Sequence, residues 1–390
     1  MKSCLPSLSK NHMTFEPTDD LRQLADSLRR LAERADAFET RQKTPDGQAG
    51  DSTETWERLA ELGLLALCLP DAHGGLGGCW RDLLEPMEII GAALMVEPVV
   101  QTLAAAQLLA RTASESCCAA LLPRVAAGQL KLVLAHQERD ARYETCHVAT
   151  KATASAEGGW LLRGRKCVVR NANDADLLLV SARTSGVIGE AEGISLFLVD
   201  AHQPGVIHSL YRTFDQFPAA DVEFELTLPD DALVGVAGGA SAAINWTLDL
   251  ETALWCAQAC GAMACANTLT LEYLKTRHQF GVPIGSFQVL QHRMVDMTVE
   301  LELARSMAWF ACVRADADVA PGVRARSISA AKLRVGEAAR RIAQESVQLH
   351  GGIGMTEEMK VSHLFRRLTA FCQQFGDGDF HLDRYTRLAR

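Results

Sequence analysis

The stretch RHQFGVPIG, Arg277 to Gly285, sets an aromatic three residues after a cation and then breaks with Gly-Val-Pro-Ile-Gly. Arginine suits bidentate contact with phosphate. Each residue also has a plainer reading. An arginine in the last turn of a helix complements its dipole, and a phenylalanine nearby plugs core. Gln288 and Gln291, near the next helix start, read as surface residues. A second fragment, QLHGGIGMTEE, runs from Gln348 to Glu358. Its Gly351-Gly352 pair fits an ordinary helix end, and it also lets backbone come close to a ligand. It is not a G-x-G-x-x-G turn between strand and helix, so it does not support a Rossmann site.

These fragments sit in a chain of 390 residues, long enough for several domains or one large core. The apolar share of 48% permits a substantial interior, and Ala and Leu abound while aromatics make up 6%. A net charge of −9 argues against a broad nucleic-acid surface. The 12 cysteines include no C-x-x-C pair, so they read as free thiols packed in a reducing cytoplasm rather than as a zinc or redox site. Cys256 and Cys260, one helical turn apart, take the same reading. No apolar run is long enough to span a membrane. Residues 1–12 lack the apolar middle of a secretory signal, and Met13 reads as an ordinary domain start.

The elements that must position the fragments come in three blocks. Leu21, Leu24, Leu28, Leu31, Ala35 and Phe38 make one helix face, with Thr18 or Asp19 as N-cap. A loop, a short helix around Trp56 to Leu62, a glycine-rich turn at Leu67 to Gly78 and helical sequence from Trp80 to Ala127 follow. Then KLVLAHQE, GWLLRGRKCVV, DLLLVSART and ISLFLVD read as strands. DVEFELTLP alternates strictly, with Val222, Phe224, Leu226 and Leu228 on one face. Three long amphipathic helices are predicted after that, over 241–277, 287–315 and 324–349. Leu290, Met294, Met297, Leu301, Ala304 and Ala308 line the second, and Ile328, Ala331, Val335, Ala338 and Ile342 line the third. Such spacing signals antiparallel bundle packing. The expected domains are 13–130, helical, 131–232, β, and 233–390, a helix bundle.

Taken together, R-x-x-F-G before the second long helix, F-Q at its head and Q-x-H-G-G-x-G after the third resemble the acyl-CoA dehydrogenase family. ELGLLALCLPDAHGGLGG and GWLLRGRKCVVRNANDADLLLVSART are similar to its N-terminal turn and its β-domain strand pair. The resemblance covers the chain from Met13, and the chain is similar to the small subunit of pimeloyl-CoA and steroid-type dehydrogenases. It implies an α+β multidomain fold: a helical N-terminal domain, a β-barrel-like middle domain and a C-terminal four-helix bundle. It implies FAD as cofactor, an acyl-CoA substrate dehydrogenated to the 2-enoyl-CoA, and an electron-transfer flavoprotein as acceptor. It also implies a homo- or hetero-oligomer in the cytoplasm, with neither nucleic acid nor membrane as partner.

In the family, two subunits share each FAD. Carried over, Arg277 neutralises phosphate, Phe280 and Gln288 pack about the adenosine half, and Gln348, Gly351 and Gly352 let backbone approach it. The usual base is a Glu near the C-terminus, and that position falls on Phe375, with Asp377 and Asp379 close by but shorter and displaced. A minority of the family carries the base 26 residues ahead of the arginine, where this chain has Glu251. Its neighbours Leu248, Leu250, Ala253 and Leu254 are apolar, so its pKa should be raised. Glu251 is therefore the expected base and Asp377 the alternative. The ring-binding loop departs from the pattern. HQERDARYE keeps Glu138, but Arg139 replaces a Pro and no Gly-Ser follows, while Arg170 replaces the Thr that would donate to the flavin ring. The alternative function is a non-catalytic subunit that completes a partner's FAD site.

Overall fold

The computed structural model describes residues 17–34, 53–156, 158–316 and 318–389. The expected start at Met13, residues 1–12, and the helix-face residues Ala35 and Phe38 lie outside these. Among the described residues, five helices come first: α1 (Asp19–Arg34), α2 (Thr53–Glu61), α3 (Leu84–Ala92), α4 (Val99–Thr112) and α5 (Glu115–Ala126). Thr18 caps α1 weakly, its hydroxyl accepting from the Leu21 amide at 3.4 Å. Ala25 and Leu28 turn inward from α1, as the spacing of its leucines requires.

Eight strands follow: β1 (Leu132–Ala135), β2 (Lys151–Ala154), β3 (Trp160–Arg170), β4 (Leu177–Arg183), β5 (Ile194–Asp200), β6 (Val206–Arg212), β7 (Pro218–Leu228) and β8 (Leu233–Val234). They form one sheet in the order β6-β7-β3-β2-β4-β5-β8, with β1 pairing parallel to β4. Val222, Phe224, Leu226 and Leu228 are all buried on one face of β7, as their alternation predicts. The sequence reading missed β2 and β6. β6 is an edge strand exposed along most of its length, so no apolar alternation marks it.

One irregularity in the sheet bears on the site. Lys166 pairs with Val222 and Val169 with Ala220, so Cys167 and Val168 together oppose Asp221. This is a β-bulge, and Val168 takes a φ of +51° there. Its amide donates to Tyr211 Oη at 3.1 Å. The extra residue switches the parity of β3. Before it, Leu162 and Lys166 point into the sheet's core; after it, Val169 does. Arg170 is thereby turned to the opposite side, toward the C-terminal helices.

Those helices are α6 (Ser241–Thr276), α7 (Gln288–Asp316), α8 (Pro321–His350), α9 (Lys360–Gln373) and α10 (Gly378–Arg387). α6 is buried on every side from Asp249 to Met263, which its apolar composition permits. It crosses α3 at two glycines: a Cβ on Gly91 would sit 2.0 Å from Gln258 O, and one on Gly261 1.8 Å from Glu88 O. Any larger residue would force these helices apart. Met297, Leu301, Ala304 and Ala308 of α7 and Ile328, Ala331, Val335, Ala338 and Ile342 of α8 are buried, matching the predicted seams. A tight hairpin of β9 (His278–Gln279) and β10 (Val282–Pro283) joins α6 to α7. Among the described residues, no helix is long and apolar enough to cross a membrane.

Candidate active site

A cavity of about 1120 Å³ lies between the sheet and the C-terminal helices. Glu251 of α6 is on its wall, together with Arg170, Trp255, Phe375, Gln137 and Tyr143. Glu251 is 7% exposed, and among the described residues its carboxylate makes no hydrogen bond or ion pair. Burial pushes its pKa up to about 8, against the opposing pull of Arg170. At neutral pH the group is mostly protonated, and loss of the proton creates a base in an apolar setting.

Phe375, at the family's usual base position, lines the same cavity with a φ of +58°. Neither Asp377 nor Asp379 lines it. Asp377 Oδ1 instead accepts from the Phe380 amide at 2.9 Å and caps α10. Geometry thus places Glu251, and not Asp377, on the cavity wall.

Arg170 stacks over Trp255, its guanidinium carbon 5.1 Å from the ring centroid, and over Phe217 at 4.7 Å. Its Nη1 lies 3.5 Å from Asp215 Oδ2 and makes no hydrogen bond. Arg367 of α9 also meets that oxygen, with Nε at 3.0 Å, close but too poorly aimed for a hydrogen bond. The sequence reading missed Asp215 and Arg367. They lie far apart in the chain, and no local pattern links them.

Glu138 does not face the cavity. It is buried, accepting from the amides of Ala149 at 2.7 Å and Thr150 at 3.0 Å and from Lys166 Nζ at 2.7 Å. Lys166 also donates to Ser181 Oγ, and Ser181 meets His136 Nδ1 at 2.9 Å. Burial and the neighbouring Lys166 hold His136 neutral, its pKa lowered to about 3. The one signal for this network in the sequence was a lysine at an inward-facing strand position. The network anchors the start of the loop that runs from Gln137 to Tyr143. In that loop Arg142 holds a φ of +48°, which only a glycine adopts without strain. Tyr143 closes against Phe380 of α10, ring centroids 5.3 Å apart.

The second set of expected site residues lies elsewhere. Arg277, Phe280, Gln288, Gln348, Gly351 and Gly352 are all exposed. Phe280 and Gly281 form the hairpin turn with φ values of +55° and +79°, so a bulky ring is held in the left-handed region. Phe280 is 90% exposed and meets the Phe287 ring edge-on. Tyr273 stacks on His350 at 4.5 Å, which pins the end of α6 to the end of α8 and brings Arg277 into the neighbourhood of Gln348 and Gly351. A Cβ on Gly351 or Gly352 would meet nothing within 4 Å, so backbone there is open to approach. From Glu251 to Arg277 is 26 residues of one helix, about 39 Å at 1.5 Å per residue. One flavin dinucleotide cannot touch both ends.

Models of the acyl-CoA dehydrogenase N-terminal, middle and C-terminal domains match residues 18–129, 134–225 and 238–387. The chain belongs to the acyl-CoA dehydrogenase family. It is an oxidoreductase acting on acyl-CoA, with FAD as cofactor. It is 29% identical to acyl-CoA dehydrogenase FadE12 of Mycobacterium tuberculosis over 318 residues, 80% of this chain and 81% of that protein. Its fold matches a variant of the Tcur3481–Tcur3483 steroid acyl-CoA dehydrogenase with a TM-score of 0.82 and 28% identity, over 95% of this chain and 97% of that one. Butyryl-CoA dehydrogenase from Megasphaera elsdenii shares the fold, with a TM-score of 0.89, 23% identity, and 97% and 100% of the two chains covered.

The residues present fit FAD in two places. The exposed Arg277 and the open Gly351-Gly352 turn suit a pyrophosphate, and the cavity beside Glu251 has volume and aromatic walls enough for a planar ring with an acyl chain.

Proposed function

We propose that this chain catalyses the α,β-dehydrogenation of an acyl-CoA thioester, with Glu251 taking the α-proton and electrons passing on to an electron-transfer flavoprotein. The observation that carries this reading is Glu251 itself, an unpaired buried carboxyl on the wall of the cavity. Bound FAD supplies the hydride acceptor for the β-carbon. The chain's own residues do the rest. Glu251 receives the proton at a carboxylate oxygen, and Trp255 and Phe375 exclude water so that the ionised base is not quenched by solvation. Arg277, Phe280, Gln288, Gln348, Gly351 and Gly352 hold the pyrophosphate and adenosine of a neighbouring subunit's cofactor, since they lie too far from Glu251 to serve the same site.

The likeness to a steroid acyl-CoA dehydrogenase supports a bulky acyl group, of the steroid side-chain kind, over a short one. Incubation with steroid side-chain and butyryl thioesters and an artificial electron acceptor tests this. A 2-enoyl product from the steroid thioester, lighter by two hydrogens, supports the reading. No product from either contradicts it.

A second reading, favoured by the ring-binding loop, is that this chain only completes the FAD site of a different chain. Arg170 stands where the family places a ring donor, and the strained Arg142 stands in a loop without Gly-Ser. A complete site then forms only where this chain faces its partner, giving about one flavin per two chains. A homo-oligomer with one FAD per chain and full activity contradicts this.

A further inference from the structure

Four ionisable groups stand where β3, the segment before β7, α9 and α6 meet: Arg170, Asp215, Arg367 and Glu251. Asp215 is shared by two guanidiniums, at 3.5 Å from Arg170 and 3.0 Å from Arg367. Arg367 also feels the carboxylate of Glu97, so Asp215 is not its sole counter-charge. Arg367 is enclosed and its Nη1 points to Met95 O, whereas Arg170 lines the cavity. Of the two guanidiniums, Arg170 is the one presented to the cavity. Its location along α6 is fixed by Trp255, over which it stacks. Trp255 is four residues beyond Glu251, on the same helix face, and side chains so spaced are neighbours.

We propose that Arg170, oriented by Asp215 and Arg367, is a positioning residue that sets the proton affinity of Glu251 and so the pH at which the base becomes available. This rests on the reading of Glu251 as the base. Arg142, Glu144, His147 and Arg387 also line the cavity, while other charges around α6 are engaged elsewhere. Asp249 on α6 is bound by Arg324 of α8 at 3.2 Å and by Arg384 of α10 at 2.7 Å. Lys332 of α8 donates to Gly376 O and lies over the Phe371 ring, and Asp377 caps α10. Among the described residues, the charge of Arg170 opposes the burial of Glu251, whose pKa nevertheless stays high. Replacing the ring donor of the family with an arginine thus has a use. A carboxyl enclosed this fully needs a nearby cation to ionise at an accessible pH.

The test is the pH profile of kcat/KM for the complete, flavin-loaded enzyme with Arg170→Met, Arg170→Lys and Asp215→Asn. The base must be ionised, so activity rises with pH, and the position of that rise reports Glu251. Arg170→Met is expected to move it to higher pH by about one unit, a tenfold loss at pH 7. Arg170→Lys restores it. Asp215→Asn moves it the other way, because Arg170 loses its counter-charge. The same ionisation can be followed without turnover, as the pH at which the fall in thermal stability levels off. A rise that stays in place in Arg170→Met and in Asp215→Asn, with activity lost evenly across pH, overturns the proposal. If Arg170→Met does not fold, the direction of the Asp215→Asn shift decides. Glu251→Gln separates the two ideas: if it keeps the wild-type profile, the base assignment has failed rather than the role of Arg170.

Discussion

Asp377 Oδ1 accepts a hydrogen bond from the Phe380 amide at 2.9 Å. That bond spends the carboxylate on a helix end and directs it away from the cavity that Phe375 lines. Asp377→Asn should cap α10 about as well and leave turnover nearly unchanged. Asp377→Ala should cost about 1 kcal/mol of stability, read by thermal or denaturant unfolding, while activity per folded molecule holds. A hundredfold loss in Asp377→Asn would move the chemistry to the C-terminal loop.

The raised pKa of Glu251 also makes a prediction about stability. Its folded value, about 8, lies above the ordinary 4.5. The folded state therefore holds a proton that the unfolded state has lost. The stabilisation is fully present below about pH 4.5 and is lost as pH rises through about 8. Glu251→Gln removes that dependence. The gap in thermal midpoint between variant and wild type should widen in favour of the variant from pH 6 to pH 9. Parallel curves would show that the carboxyl is solvated.

Arg277 is exposed, and no described side chain pairs with it. Arg277→Ala should weaken FAD retention by about 1.5–3 kcal/mol, the worth of a charge-assisted hydrogen bond. Flavin absorbance per chain after dialysis measures it. Unchanged flavin content would leave Arg277 as a helix-end residue and nothing more.

Lys166 and Glu138 form a fully buried pair. Lys166→Met strands an ionised carboxylate and should cost about 3 kcal/mol, softened by the two amides that still donate to it. Chemical denaturation reads this. The Gln137–Tyr143 loop should loosen with it, seen as faster proteolysis at that loop. A variant as stable as wild type would mean that Glu138 is protonated in the fold.

The helices were legible because their apolar residues repeat at three and four, as Leu301, Ala304 and Ala308 do, and β7 because it alternates. Glu251 and the Arg277 group could be proposed only through family resemblance, since a lone glutamate in an apolar helix has no periodic signature. What could not be read was pairing at a distance. The bulge at Cys167–Val168 changes which way Arg170 points, and nothing in the strand's composition announces it. Asp215 and Arg367 meet only because the segment before β7 packs on α9. The exposed φ-strained Phe280 was quoted for its spacing, but its conformation belongs to the hairpin turn.

The most direct test of Glu251 as base is exchange of the α-hydrogen of a bound acyl-CoA with deuterated solvent, followed by mass spectrometry in the assembled enzyme. Exchange needs the base alone and no net redox step. The wild-type protein should exchange the α-hydrogen. Glu251→Gln, equal in shape, should exchange it roughly a hundredfold or more slowly with flavin content intact. Exchange at the wild-type rate in Glu251→Gln would contradict the account.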